Sequence, residues 1–385
     1  MTGRVAIDGA RIFDGERWAE GQSLIIENGV VQGRLAPEQV DSGSVRIDAG
    51  GLMLVPGFVD LQVNGGGGVL LNNQPDIAGI RTICAAHARF GTTALLPTLM
   101  TDRVALLEEA LAAGRSALEA GVPGYLGLHL EGPHLSVARK GTHDPDLIRP
   151  MEEADLARLV DAAGSFGLAL ITIAPENVTL SQVETLRGAG YTVSLGHSEA
   201  SHATAAAYAE KGASMVTHLF NAMSPLGHRE PGMVGAGIGL SSLDCGLIAD
   251  GFHVDPVAMT IALRAKQGPG RIFLVTDAMS TIGTDDQGFL LNGRQVYRRG
   301  GRLTLEDGTL AGADIDMLSC VRYVHEILGL PLEEALRMAS AYPAKAIGAA
   351  SKGHLADGAD ADFLLLTADL KLVSTWIGGQ MVYQA

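Results

Sequence analysis

The chain has 385 residues, of which 47% are hydrophobic, and it carries a formal net charge of −15 at pH 7. A chain of this length can bury a large core and exceeds the usual size of one domain, so we expect one large domain and one smaller one. The acidic balance argues against a nucleic-acid partner, because phosphate backbones are bound by clustered Lys and Arg. It is compatible with an anionic small substrate, because a few well-placed basic residues can bind one phosphate.

Membrane insertion, secretion and disulfide bonding are not indicated. No apolar stretch approaches the roughly 20 residues of a spanning helix, since Gly, Pro or a charge interrupts each candidate. Residues 1–8 run directly into a strand-like pattern without the features of a signal peptide, so we expect a cytoplasmic protein. The three cysteines, Cys84, Cys245 and Cys320, form an odd set without CxxC spacing, which indicates inert buried thiols.

Both ends of the chain show short β-like patterns. Residues 4–7, 23–27 and 44–47 are separated by turn signals such as Asn28-Gly29. Residues 361–366 form a similar run, and residues 373–377 and 380–383 flank Gly378-Gly379 as in a hairpin. We predict that residues 1–54 and 351–385 together build one small β-sandwich domain.

Between these ends, residues 55–350 alternate short apolar runs with Ala- and Leu-rich helical stretches, as βα units do. Eight runs are candidate strands: 54–60, 92–97, 125–131, 168–174, 191–197, 213–218, 245–250 and 271–277. Eight units over roughly 250 residues favour an α/β fold with a (β/α)8 TIM-type barrel over an open doubly wound sheet. The run Gly65–Gly68 follows the first strand without GxGxxG spacing, which favours a flexible loop over a cofactor-phosphate site.

Three polar residues stand at the carboxyl ends of apolar runs that are far apart in the sequence. They are Glu131, His197 and His218. In a parallel barrel the carboxyl ends of the strands converge on one mouth, so we expect these side chains to meet. One carboxylate and two imidazoles suit a divalent transition metal with a position open for water. A single strand-end histidine is as readily a hydrogen-bonded cap, but several together favour a metal-dependent hydrolase.

Eight segments of the chain form an ordered series of motifs. They are PGFVDLQVNG at 56–65, HLEGP at 129–133, KGTH at 140–143, GHS at 196–198, THLFNAM at 217–223, REPG at 229–232, DGFH at 250–253 and VTDA at 275–278. The series closely resembles that of the N-acetylglucosamine-6-phosphate deacetylase family in the amidohydrolase superfamily, over nearly the whole chain. The resemblance implies hydrolysis of N-acetyl-D-glucosamine 6-phosphate to D-glucosamine 6-phosphate and acetate, in amino-sugar catabolism or cell-wall recycling.

The resemblance also implies the metal content. Amidohydrolases often hold a second metal with His-x-His after the first strand, where this chain has Gln62-Val63-Asn64. Amides are much weaker ligands for divalent metals than imidazoles, so we expect a single ion per subunit. Its ligands would be Glu131, His197 and His218, with zinc favoured and iron, cobalt or manganese as alternatives.

In the expected mechanism, a metal-bound hydroxide attacks the amide carbonyl, because the metal lowers the pKa of its water to about 7. Asp277 is expected to act as general base and then as general acid, delivering the proton to the amine nitrogen. The alternative role for Asp277 is to cap the following helix, since Asp is a preferred N-cap residue. The resemblance favours the catalytic role.

The substrate contacts are also carried over from the family motifs. They are Thr142, His143, Asn221, Ala222, Arg229, Asp250, Gly251, Phe252, His253, Leu310, Ala311 and Gly312. His143 is expected to polarise the acetyl carbonyl and Arg229 to bind the phosphate bidentately. In the family, the position of Arg229 reaches into the neighbouring subunit's site, which implies a homodimer. Ala313 stands where the family usually has Ser, so the contacts of that segment are left open.

Two other functions are compatible with parts of the sequence. A related amidohydrolase would act on another N-acyl amino sugar or on a cyclic amide, but a cyclic-amide enzyme would be expected to keep the His-x-His pair and often a bridging modified lysine. A catalytically inactive scaffold would have no need for an intact ligand set together with Asp277. Both alternatives are therefore less well supported than the deacetylase.

Overall fold

Eight parallel strands form the central sheet of the computed structural model, which describes residues 3–385. They are β1 (Phe58–Val63), β2 (Thr92–Met100), β3 (Gly127–Glu131), β4 (Leu168–Ile173), β5 (Tyr191–Leu195), β6 (Ala213–Val216), β7 (Asp244–Leu247) and β8 (Ile272–Leu274). Neighbouring strands pair in sequence order, and a parallel bridge from Val63 to Ala278 joins β1 to the segment after β8. The predicted (β/α)8 barrel is therefore confirmed.

The predicted bounds of the first strand are wrong. Residues 54–60 span parts of two strands, because Met53–Pro56 pairs with Phe363–Leu366 in another sheet and only Phe58–Val63 belongs to the barrel. The chain passes between the sheets at Gly57, where a Cβ atom would lie 2.0 Å from Oγ1 of Thr93. Glycine is thus required at this crossing.

Several later strands end earlier than predicted, among them β7, which ends at Leu247 rather than at residue 250, and three strands that end just before site residues. β5, β6 and β8 end at Leu195, Val216 and Leu274, before the predicted ends at 197, 218 and 277. The reason lies in the backbone of the site residues themselves, because His197, His218 and Asp277 have φ angles of 48°, 29° and 51°. Positive φ values cannot continue a strand, so each of these side chains is presented from the first turn beyond it.

Within the described residues, ten α-helices connect and cover the strands. They are α1 (Ile77–Ala88), α2 (Val104–Glu119), α3 (Glu153–Ala162), α4 (Leu180–Gly188), α5 (His202–Glu210), α6 (Gly232–Gly239), α7 (Pro256–Ala265), α8 (Met317–Arg322), α9 (Leu332–Ala339) and α10 (Ala341–Ala346). Short 3-10 turns occupy Pro37–Gln39 and Val137–Arg139, and Tyr323–Ile327 is π-helical. None of the helices within residues 3–385 combines the length and apolar character needed to cross a membrane.

The barrel strands are buried on both faces. Leu96 and Phe273 belong to the cluster that fills the barrel interior, whereas the adjacent Leu95 and Leu274 pack in the layer between strands and helices. Burial on both faces explains why the strand sequences are mostly apolar rather than alternating, with Asp60 and His129 among the buried polar exceptions. The polar residues with metal-binding or catalytic potential, Glu131, His197, His218 and Asp277, lie at or just beyond the carboxyl ends of the strands.

The two chain ends form a β-sandwich, as predicted. One sheet contains Arg4–Asp8, Ser23–Glu27, Val30–Leu35 and Val45–Asp48; the other contains Arg11–Phe13, Trp18–Ala19, Met53–Pro56, Phe363–Leu366, Leu372–Ile377 and Gln380–Gln384. Ile7, Leu24, Phe363 and Trp376 lie in one buried cluster shared by the two sheets. The exact domain division at residues 54 and 351 stays a prediction.

An additional antiparallel sheet, which the sequence did not predict, lies between β8 and α8. Its strands are Gly288–Leu291, Arg294–Arg299, Arg302–Thr304 and Leu310–Ala313. Its apolar side packs on Leu70, Met100 and Met279, and Leu70 belongs to a small hairpin of Gly65–Gly66 with Val69–Leu70. This sheet brings Leu310 and Gly312 to the mouth of the barrel.

Candidate active site

A pocket of about 230 Å³ opens at the carboxyl ends of the barrel strands. Of the residues predicted to form the site, it is lined by Glu131, Thr142, His143, His197, His218, Asn221, Ala222, His253, Asp277, Leu310 and Gly312. It is also lined by Asn64, Met100, Gly141, Met279 and Thr309, which the sequence did not predict as substrate contacts. The fold therefore brings the predicted metal ligands and Asp277 into one cavity.

Three ligand atoms form a compact triangle in this pocket. Oε1 of Glu131 lies 3.4 Å from Nε2 of His197 and 3.2 Å from Nε2 of His218, and the two nitrogens are 3.0 Å apart. Ligand atoms held about 2.0–2.1 Å from a tetrahedral zinc ion are about 3.3 Å from one another. The triangle thus has the size that a tetrahedrally coordinated divalent ion requires.

The hydrogen bonds of the imidazoles agree with a cation at this position. Nδ1 of His197 is 2.8 Å from the backbone oxygen of Arg139, so Nδ1 carries the hydrogen and donates it. The lone pair of Nε2 then faces Glu131 and Nε2 of His218. Two imidazole nitrogens at this separation need a cation or a shared proton between them.

Charge in the pocket also favours a cation. Burial raises the pKa of Glu131, but its hydrogen bonds with His197 and His218, followed by the charges of His197 and His143, outweigh burial and hold this pKa well below its usual range. Burial lowers the pKa of His218, whereas its bond to Glu131 raises it, and the net direction is upward. The carboxylate is therefore ionised and its negative charge faces the two imidazoles.

His143 lies at the edge of the same group. Its Nε2 is 3.7 Å from Oε2 of Glu131, and Glu131, His143 and His197 form a second set able to hold an ion, with ligand atoms within 4.8 Å of one another. Its Nδ1 is 2.8 Å from Oγ1 of Thr101, and burial together with the charge of His197 lowers the pKa of His143 to about 3. His143 is therefore neutral, and its role toward the acetyl carbonyl stays a prediction.

Two amides at the carboxyl end of β1, Gln62 within the strand and Asn64 directly after it, face the carboxylates with their NH2 groups. Nε2 of Gln62 donates to Oε1 of Glu131 at 3.0 Å and to Oδ1 of Asp277 at 3.1 Å, and Nδ2 of Asn64 donates to the same oxygen of Asp277 at 2.7 Å. The NH2 group of a carboxamide does not coordinate a metal ion, because its nitrogen lone pair is delocalised into the carbonyl group. This orientation supports the expectation of a single metal ion.

Asp277 is held as a proton carrier would be. Burial, reinforced by the negative charge of Glu131, raises the pKa of Asp277 to about 6. The alternative capping role is wrong, because the helix after β8 is capped by Asp316, whose Oδ1 accepts a hydrogen bond from the backbone N–H of Ser319 at 2.9 Å. The carboxyl group of Asp277 therefore does not cap this helix, and its catalytic role stays a prediction.

Some predicted substrate residues do not line the pocket. They are Arg229, Asp250, Gly251, Phe252 and Ala311. Arg229 is exposed in the loop 225–230, and Phe252 is 40% exposed beneath the guanidinium of Arg302. Oδ2 of Asp250 lies 2.6 Å from Nδ1 of His253, so Asp250 orients an imidazole that does line the pocket. Their direct contacts with substrate stay predictions.

Comparison with known proteins agrees with this geometry. The model of the amidohydrolase family matches residues 53–382. The mouth of a (β/α)8 barrel, a buried carboxylate and two imidazoles that could hold a metal ion, a nearby aspartate and this match define the class of protein. The chain belongs to the amidohydrolase family.

Its relatives define a narrower branch of that family. The chain is 41% identical over 382 residues to an N-acetylgalactosamine-6-phosphate deacetylase of Shewanella sp. (strain ANA-3), covering 98% of this chain and 96% of the relative. The structure of the N-acetylglucosamine-6-phosphate deacetylase from Pasteurella multocida superposes with a TM-score of 0.94 at 35% identity, covering 98% and 99% of the two chains. An aspartate-to-alanine variant of the Mycobacterium smegmatis enzyme, in complex with N-acetyl-D-glucosamine 6-phosphate, superposes with a TM-score of 0.90 at 30% identity over 100% of both chains. The chain thus groups with the deacetylases of N-acetylated amino-sugar 6-phosphates.

Proposed function

We propose that the protein removes the acetyl group of N-acetyl-D-glucosamine 6-phosphate, giving D-glucosamine 6-phosphate and acetate. The observation that carries this proposal is the triangle of Glu131, His197 and His218 beside the buried carboxyl group of Asp277. Amide hydrolysis requires both an activated water and a proton for the departing amine, and this pocket holds residues suited to each.

Glu131, His197 and His218 would hold one divalent ion, for which zinc is the first choice. When bound, the ion would lower the pKa of a water molecule to about 7 and polarise the amide carbonyl. Gln62 and Asn64 both donate to Oδ1 of Asp277, which fixes the carboxyl group while leaving Oδ2 to exchange the proton. Asp277 would accept a proton from the attacking water and return it to the amine nitrogen.

The phosphate of the substrate would be bound by Arg229 of a second subunit. In one chain Arg229 is exposed and outside the pocket lining, and Leu226 in the same loop is 55% exposed. An exposed loop with an apolar side chain and a guanidinium suits contact with a second copy of the chain. We therefore include a homodimer in the proposal.

A second candidate substrate is the 4-epimer, N-acetyl-D-galactosamine 6-phosphate. The specific observation in its favour is the 41% identity to a deacetylase named for that sugar, over 98% of this chain. The two substrates share the amide and the phosphate and differ only in the configuration of the hydroxyl group at C4. The same metal site and Asp277 would serve either of them.

Kinetic comparison of four compounds tests both candidates. We would measure kcat/KM for N-acetylglucosamine and N-acetylgalactosamine, each with and without its 6-phosphate, in wild type and Arg229→Ala. The phosphate should raise kcat/KM in wild type, and much less in the variant. If the phosphate contributes nothing in wild type, the proposed substrate class is wrong. The cytoplasmic location and the role in catabolism or recycling stay predictions.

A further inference from the structure

Two methionines form an apolar part of the pocket wall, on the side of the mouth where Asn64 follows β1. Met100 is the last residue of β2, and Met279 comes shortly after Asp277 beyond β8. Both are buried, with Met100 at 7% and Met279 at 0% exposure, yet both line the pocket. Because β2 and β8 flank β1, the two side chains lie on the same side of the barrel mouth.

The space behind this wall is closed. Met100 and Met279 pack into one apolar cluster whose other members are Leu70, Leu291, Val296, Leu303 and Ala311. Gly312, which has a φ of 65°, comes so close to Met279 that an added Cβ atom would lie 2.6 Å from its Sδ. The side chain of Met279 therefore cannot move away from the pocket without a clash. A ligand group in contact with the two methionines could not extend further in that direction.

The opposite side of the mouth is polar. Asn221 follows β6, which lies across the barrel from β2, and His253 follows β7. A sugar ring with several hydroxyl groups and a phosphate would lose hydrogen bonds against the methionines and would find partners on this polar side. The two walls thus separate the polar part of the substrate from its apolar part.

The chemistry of the amide decides what the methionines contact. The carbonyl carbon carries an oxygen, a nitrogen that leads to the sugar, and the acyl chain. The oxygen must face the metal ligands and the nitrogen must reach Asp277, with the sugar directed to the polar wall. The third substituent of the carbonyl carbon, the acyl chain, would then point toward the apolar wall formed by Met100 and Met279.

We propose that Met100 and Met279 form the subsite for the acetyl methyl group and limit the acyl chain that the enzyme accepts. This inference rests on the proposed deacetylase function. Thioether side chains contact a methyl group well without offering it a hydrogen bond. The closed cluster behind them has no space for the additional carbons of a butanoyl chain.

The test compares N-acetyl with N-butanoyl glucosamine 6-phosphate, measured as kcat/KM by amine release. Wild type should favour the acetyl substrate by at least about tenfold, since even one methylene changes discrimination by about 10- to 200-fold. Met100→Ala and Met279→Ala should each raise the ratio of butanoyl to acetyl kcat/KM by about tenfold. Met100→Leu, which conserves volume, should keep the wild-type ratio.

Met259→Ala is the matched control, because Met259 is a fully buried methionine on α7 that does not line the pocket. It should leave the ratio unchanged. Equal activity of wild type on both substrates overturns the proposal without any variant, as does an unchanged ratio in folded, metal-loaded Met100→Ala. Absence of turnover on either compound by wild type would instead contradict the deacetylase function on which the inference rests.

Discussion

Replacement of Asp277 by asparagine isolates its proton-transfer role from its structural one. Oδ1 of Asp277 accepts hydrogen bonds from Asn64 at 2.7 Å and from Gln62 at 3.1 Å. The amide oxygen of an asparagine can accept both bonds in the same place, so the pocket geometry should be retained. The amino group that replaces Oδ2 can neither take a proton from water nor pass one to an amine.

The size of the expected loss follows from the number of proton transfers removed. Positioned acid or base catalysis contributes about 10²- to 10⁴-fold, and Asp277 would act once as a base and once as an acid. We expect kcat to fall by at least about 10³-fold, or about 4 kcal/mol in the activation barrier, with little change in KM. Metal content and thermal stability should stay close to those of wild type.

The pH profile provides an independent readout. Activity of wild type should fall on the acid side as Asp277 becomes protonated, at or below about pH 6, because a bound cation offsets the charge of Glu131 that helps to raise this pKa. Residual activity of Asp277→Asn should lack this limb.

Asp244→Asn serves as the control, because Asp244 starts β7 at the other mouth of the barrel and only accepts a bond from the backbone of Arg271. If Asp277→Asn retains kcat within about threefold of wild type, the proton-transfer role is refuted.

Three further predictions concern other parts of the molecule. Glu131→Gln should lose at least about tenfold in metal affinity, as measured by competition with a chromogenic chelator, because it removes the charged ligand; unchanged affinity would exclude Glu131 as a ligand. Asp60 is fully buried and accepts hydrogen bonds from Thr276. Burial raises the pKa of Asp60 to about 7, above its ordinary value of 3.8. The contribution of Asp60 to the free energy of unfolding is therefore fully present below about pH 4 and is lost as pH rises through about 7. Asp60→Asn should therefore gain stability relative to wild type, by on the order of 2–3 kcal/mol, between about pH 5 and about pH 8 in urea unfolding, whereas a pH-independent difference would contradict the buried neutral carboxyl. Arg229→Ala should raise KM for the phosphorylated sugar by at least about tenfold without changing KM for the unphosphorylated one, and equal effects on both would argue against a phosphate contact.

The metal ligands could be predicted from the sequence because a barrel places the ends of its strands at one mouth. Glu131, His197 and His218 each follow an apolar run, and the structure brings their ligand atoms within 3.4 Å of one another. The strand ends themselves were less predictable. An apolar run does not reveal that the backbone turns to positive φ at His197 and His218.

The apolar wall could not be predicted, because its residues carry no chemical signal. In the sequence, Met100 and Met279 cannot be distinguished from ordinary core residues. Their position beside the pocket depends on the antiparallel sheet of residues 288–313, against which they pack. That sheet was missed because residues 55–350 were interpreted as βα units throughout, although Asn292-Gly293 and Gly300-Gly301 between its strands are hairpin signals.

Metal-dependent acetate release tests the central claim most directly. Protein stripped with a chelator and reloaded with zinc would be assayed with N-acetyl-D-glucosamine 6-phosphate while its metal content is measured by mass spectrometry. We predict that acetate release is absent from the stripped protein and rises in proportion to zinc, up to one ion per chain. Full zinc loading without acetate release from this substrate or its 4-epimer would contradict the proposed function.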